Sequence, residues 1–167
     1  DQLGSRGTRY NASGSTVDMT AGYGKFLQKM KACQSGKKLA FNAVSRYGQS
    51  RIAAAPSDFL YNEVWTVGFD EIDKIMQENQ SLAPDKSTVL AAYMNYKQSG
   101  TFNTPAVLLA DAVIFALGGS HLELGEHMLS NEYFPNDAMK MSSELSAALV
   151  HYYDFLTGYE NLLRDGA

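Results

Sequence analysis

The feature that most constrains this chain is a repeated change of hydrophobic period. Four short apolar runs stand at 38–45 (KLAFNAVS), 58–65 (DFLYNEVW), 87–96 (STVLAAYMNY) and 120–125 (SHLELG). Between them, apolar residues recur every three or four positions, the spacing of one helical face. The runs centre near 41, 61, 92 and 122, so they step by about 20 to 31 residues. That is the length of a strand, a crossover helix and the next strand. The runs are apolar at consecutive positions, as expected of parallel strands covered by helices.

The helices are predicted from the same pattern. In 16–35, Tyr23, Phe26, Leu27, Met30 and Cys33 share a face, and Gly36 is the stop. A short helix over 47–56 closes at Pro56. In 68–80, Phe69, Ile72, Ile75 and Met76 form the apolar stripe. The helix over 103–119 has Thr104 as N-cap, Pro105 at the first helical position and Gly118 just past its end. A last helical segment runs from Asp137 to Arg164, with a break near Gly158. No linker divides the chain, so residues 1–167 read as one unit without a second domain.

Two architectures accommodate this order: an open doubly wound sheet, or part of a (β/α)8 barrel. The open sheet often carries a glycine-rich phosphate loop after a strand, and no GxGxxG or GxxxxGK[ST] occurs here. In a barrel the chemistry gathers at the carboxyl ends of the strands. Those ends here carry Asp1, Asn42, Glu63, Asn95 and the segment HLELGEH. The expectation is therefore an α/β fold of the (β/α)8 TIM-barrel type, present as a partial barrel.

Composition removes other classes. The net charge of -4 offers nothing to nucleic acid or an anionic membrane. The longest apolar stretch contains Asp111 and is too short to span a bilayer. Cys33 is the single cysteine, so no internal disulfide can form, and its place in a helical pattern predicts burial. His121, Glu123, Glu126 and His127 could be imagined around a metal, but their spacing matches no tight ligand motif, and neither a metal nor another cofactor is expected.

Glu63 is the most informative position, a carboxylate inside an apolar strand and two residues from Trp65. Burial there would raise its pKa and suit it to general acid work; the competing reading is an ion pair with Arg46 or Arg51. Asp1 is the natural second carboxylate. Two carboxylates from different strands suit glycoside hydrolysis, one attacking the anomeric carbon and one protonating the leaving oxygen.

The motif DQLGSRG, with Asp1 62 residues before the Glu of LYNEVW, resembles glycoside hydrolase family 66. FNAVSRYGQ, AAYMNY and GGSHLELGEHMLSNEYFP extend the likeness over most of the chain. The resemblance implies a (β/α)8 barrel acting with retention on α-1,6-glucan, that is, dextran and isomaltooligosaccharides. It implies Asp1 as nucleophile and Glu63 as acid/base. Asn42, Trp65, Asn95, Tyr96, His121 and Glu126 are the candidate sugar-binding residues. The chain would then be the C-terminal half of the barrel, from the end of strand four through strand and helix eight. It would pair with the missing N-terminal half or with a second copy of itself. The resemblance places it outside the cell or in the cell envelope of a bacterium. An endo-dextranase is favoured over a cycloisomaltooligosaccharide glucanotransferase, because the spacing after Glu63 leaves no room for an inserted carbohydrate-binding module. A catalytically silent folding or interaction unit is the third reading.

Overall fold

The computed structural model of the chain describes residues 4–34, 36–65, 68–95, 97–123, 128–130 and 139–163. The order begins with β1 (Arg9–Tyr10) and β2 (Thr16–Val17), an antiparallel pair, followed by α1 (Met19–Cys33). A 3-10 turn (Val44–Arg46), α2 (Gln49–Ala53), β3 (Leu60–Val64) and α3 (Phe69–Leu82) come next. Then follow β4 (Thr88–Ala92), β5 (Gly100–Thr101), α4 (Thr104–Ala116), β6 (Gly119–His121), β7 (Met139–Lys140), α5 (Ser143–Gly158) and α6 (Glu160–Leu163).

The central sheet runs β3-β4-β6, and both pairings are parallel. Asn42 extends it by a single parallel bridge to Tyr61 on the outer side of β3. Sheet order thus follows chain order, as successive right-handed crossovers produce. The run at 38–45 does not become a full strand. Ser45 and Arg46 take positive φ values of 52° and 60°, and the chain turns away after Asn42. Phe41 and Ala43 still pack inward, against Tyr23, Leu27, Ile52 and Ala55.

Helix starts follow local chemistry. Asp18 caps α1 by accepting from the amides of Thr20 and Ala21 at 2.9 and 3.1 Å. Ser142 caps α5 through the Leu145 amide at 3.1 Å. The cap of α4 is Asn103 and not Thr104: its side-chain oxygen accepts from the Ala106 amide at 3.0 Å, and Thr104 is the first helical residue. A carboxamide at the N-cap reaches the third amide, so the helix begins one residue earlier than the Thr104 hydroxyl suggested.

The buried faces are narrower than the predicted stripes. Ile72, Ile75 and Met76 of α3 pack with Val64, Leu90, Ala92 and Ile114, whereas Phe69 is exposed. In α1 only Tyr23 and Leu27 are buried, and Phe26 and Met30 are partly open. Cys33 is exposed, which corrects the expected burial; it lies in the last turn of α1, beyond the reach of that core. Gly119 lets β6 approach closely, since a Cβ there would stand 3.0 Å from Met76 Sδ and 3.1 Å from Ile114 Cγ2. Among the described residues no helix is long and apolar enough to cross a membrane.

Candidate functional site

The two faces of β3 set up the site. Leu60, Asn62 and Val64 are buried, and Tyr61 and Glu63 are half-buried. Side chains alternate across a strand. Asn62 bonds to Asn79 of α3 and Gln49 of α2, so its face is the helix-covered one, and Glu63 lies on the other.

Both oxygens of Glu63 are held. Asn42 Nδ2 donates to Oε1 at 2.9 Å, and Trp65 Nε1 donates to Oε2 at 3.0 Å. The position across from Glu63 on β4 is Ala91, which leaves room beside the carboxylate. The Arg46 pairing does not occur: Arg46 bonds Glu78 at 3.0 Å and lies 3.6 Å from Glu71. Arg51 is exposed and acts on Asp18 instead. Glu63 is therefore fixed by neutral donors, which orient a carboxylate without locking it into an ion pair. A cavity of about 230 Å³ opens at this edge of β3, between the 3-10 turn and α3, lined by Arg46, Asn62, Glu63, Trp65, Glu71 and Ile75 among others.

Trp65 stacks on Tyr93 with centroids 3.6 Å apart and planes 10° from parallel. One indole face is thus covered by Tyr93, and the two rings form an aromatic wall just past the ends of β3 and β4. Asn95 is exposed with a φ of 52°, in the loop leaving that strand. Asn42 is buried, and its Oδ1 has no hydrogen-bond partner while Nδ2 is spent on Glu63. Asp1, Tyr96 and Glu126 lie outside the described residues. The structure brings Asn42, Glu63 and Trp65 together, with Asn95 in the next loop.

His121 goes elsewhere. It is in register with Leu90, which is in register with Asn62, so it shares the helix-covered face. Its Nδ1 lies 2.7 Å from Asp111 Oδ1 of α4 and 3.7 Å from Glu123 Oε1, and its Nε2 lies 3.4 Å from the Ala92 carbonyl. Tyr153 of α5 donates its hydroxyl proton to Glu123 Oε2. Burial pushes the Glu123 carboxyl above its usual range; the Tyr153 hydrogen bond opposes this, and the Asp111 charge adds to it. Burial likewise raises the Tyr153 phenol. Asp111 and Tyr153 were not anticipated as site residues. The available signal was a carboxylate inside the most apolar helix of the chain, since a buried carboxylate needs partners.

Residues 1–167 match glycosyl hydrolase family 66. A cycloisomaltooligosaccharide glucanotransferase of Niallia circulans is 43% identical over 86 residues, covering 50% of this chain and 9% of that protein. A dextranase of Streptococcus salivarius is 27% identical over 185 residues, covering 87% of this chain and 22% of its own length. The chain therefore spans less than a quarter of each of these relatives. The fold resembles that of a Paenibacillus sp. cycloisomaltooligosaccharide glucanotransferase solved with cycloisomaltoheptaose, with a TM-score of 0.81, 20% identity, and coverage of 98% of this chain and 44% of the other. With the match running from the first residue to the last, the chain belongs to glycosyl hydrolase family 66.

Proposed function

We propose that this chain carries half of the catalytic barrel of a retaining endo-dextranase, with Glu63 as acid/base and Asp1 as nucleophile. The observation that carries the reading is the seat of Glu63. It stands near the carboxyl end of a parallel strand, held by Asn42 and Trp65, beside an aromatic wall and a cavity. Barrel enzymes place their catalytic groups at that end.

In this mechanism Asp1 attacks the anomeric carbon of an α-1,6-linked glucose while Glu63 gives its proton to the leaving oxygen. Glu63 then takes a proton from water, which releases the glycosyl unit from Asp1 with retained configuration. The two carboxyls would lie about 5–5.5 Å apart, as double displacement requires. Asn42 and Trp65 keep the Glu63 oxygens aimed at the bond, and the indole and the loop carrying Asn95 and Tyr96 receive sugar rings and hydroxyls. Dextran and isomaltooligosaccharides outside a bacterial cell are the substrates of this reading. The barrel closes when both sheet edges are paired, through further strands or a second copy. The 167-residue chain alone is then inactive.

The second reading is cyclisation of isomaltooligosaccharides. It is favoured by the 43% identity to a glucanotransferase over 86 residues. Against it, α3 follows β3 after a short connection, with no inserted module.

Trapping with a fluorinated α-glucoside, in a protein containing the whole barrel, tests the assignment. An adduct on Asp1 by mass spectrometry supports it. An adduct on another carboxylate, or an inverted first product, overturns it. Linear products from dextran support hydrolysis, and cyclic ones support the second reading.

A further inference from the structure

The cluster on the helix-covered side of β6 is left unused by this mechanism. Asp111, His121 and Glu123 each offer a ligand atom, and the three atoms lie within 4.8 Å of one another. The side chains of Asp111, His121 and Glu123 are 2%, 3% and 8% exposed. Asp111 Oδ2 and Glu123 Oε1 are buried and have no hydrogen-bond partner. Two buried carboxylates share a single imidazole, so the cluster holds more acceptors than protons. Uncompensated buried charge is costly, and a cation placed among the acceptors removes the cost.

We propose that Asp111, His121 and Glu123 form a binding site for one divalent transition-metal ion of the zinc type. His121 binds through Nδ1, and Asp111 and Glu123 each bind through one carboxylate oxygen. The supporting contacts are those a ligand set needs. Without an ion the Nδ1 proton bridges to Asp111 Oδ1 at 2.7 Å; an ion that displaces it leaves the remaining proton on Nε2, which lies 3.4 Å from the Ala92 carbonyl as its acceptor. Tyr153 holds the second oxygen of Glu123. A small closure of the side chains brings all three to ligand distances of ~2.0–2.2 Å. A cavity of about 250 Å³, lined by Asp111, His121, Tyr152 and Tyr153 among others, admits the ion and leaves a fourth position for water. One imidazole with two carboxylates favours zinc over calcium or magnesium, which take six or more oxygen ligands. The ion would tie β6 and the end of β4 to α4 and α5. It is a structural site on the side of the sheet away from Glu63, and it stands independently of the proposed reaction.

The test uses the 167-residue chain stripped with a chelator, with circular dichroism confirming that it is folded. Calorimetric titration with zinc chloride is expected to show one ion per chain and a higher melting temperature with metal. Cobalt is expected to give visible bands of a site without sulfur. His121→Gln is expected to weaken zinc binding about a hundredfold or more, and Tyr153→Phe by roughly 10- to 100-fold. Cys33→Ser is expected to change nothing. Absence of zinc binding by the folded wild-type chain overturns the proposal. So does binding that survives His121→Gln, or a thiolate charge-transfer band with cobalt.

Discussion

Asn62 and Glu63 are neighbours on β3, yet they sit in opposite kinds of polar environment. Asn62 belongs to a buried network in which every amide finds a partner. Its Nδ2 donates to Gln49 Oε1 at 3.2 Å, its Oδ1 accepts from Asn79 Nδ2 at 2.9 Å, and Asn79 reaches on to Thr88 Oγ1. Gln49 Nε2 closes the set on Asn79 Oδ1 at 2.6 Å. On the other face, Glu63 is held by two donors and borders a cavity at the strand edge, and beside it Asn42 Oδ1 is buried without a partner. A closed network fastens α2 and α3 to the sheet. On the proposed reading, the oriented carboxylate and the uncommitted Asn42 Oδ1 beside it serve a ligand that comes and goes. The difference separates polar groups that satisfy one another within the fold from groups that the proposed reading assigns to a ligand.

Substitutions can break that contrast. The largest effect is expected for Glu63→Gln in a protein with the whole barrel: a loss of about 10²- to 10⁴-fold in kcat on dextran. Much of the activity should survive on a glucoside with an activated leaving group, which needs no proton. Equal loss on both substrates would remove Glu63 from the acid/base role.

Asn42→Ala should come next, lowering kcat on dextran by roughly tenfold to a hundredfold by freeing Glu63 Oε1. Its melting temperature should change little, because the side chain's remaining acceptor is unsatisfied already. A large drop in stability with unchanged kcat would assign Asn42 to the structural side of the comparison.

Asn79→Leu strikes the closed network. It leaves Gln49 and Asn62 short of partners and should cost about 1–3 kcal/mol in a denaturant titration. The folded fraction should keep its specific activity. Loss of activity without loss of stability would show that the two faces of β3 are coupled.

The smallest effect tests the loop that leads into β3. The Asp58 carboxyl is held below its usual range, first by the Lys31 hydrogen bond at 2.7 Å and then by the Leu39 amide. Its folded pKa lies below the unfolded value of about 3.9. The stabilisation is therefore complete above that value and is lost as pH falls through the folded pKa. Asp58→Asn should flatten the fall of melting temperature below about pH 4, and an unchanged acid limb would assign that limb to other carboxylates.

Much of this was legible from residue order. The apolar period predicts α3, α4 and the last helix with its break near Gly158, because a buried stripe must recur every turn. That last helix starts at Ser143 and not at Asp137, since Met139–Lys140 pairs with β5 as a strand. The central strands were legible as apolar runs between helices, and Glu63 as a carboxylate set inside one of them. The likeness to the family extended the reading to Asp1, at a position where the sequence alone has only a carboxylate.

What the tertiary structure decided is which way side chains face and who meets whom. A three-residue strand such as β6 carries no readable alternation. Only its register with Leu90 places His121 on the helix-covered side, against Asp111 and Glu123. The two-residue pairing of β5 with β7 joins segments far apart in the chain, so no local pattern announces it. The run at 38–45 has strand composition, but positive φ values at Ser45 and Arg46 reduce its pairing to Asn42 alone. Sequence by itself determined the helical periods, because these depend on neighbours three and four residues away, whereas the α4 cap fell on Asn103 and not on Thr104. Register, facing and the buried polar partnerships depend on contacts between distant elements, and only packing those elements together decides them.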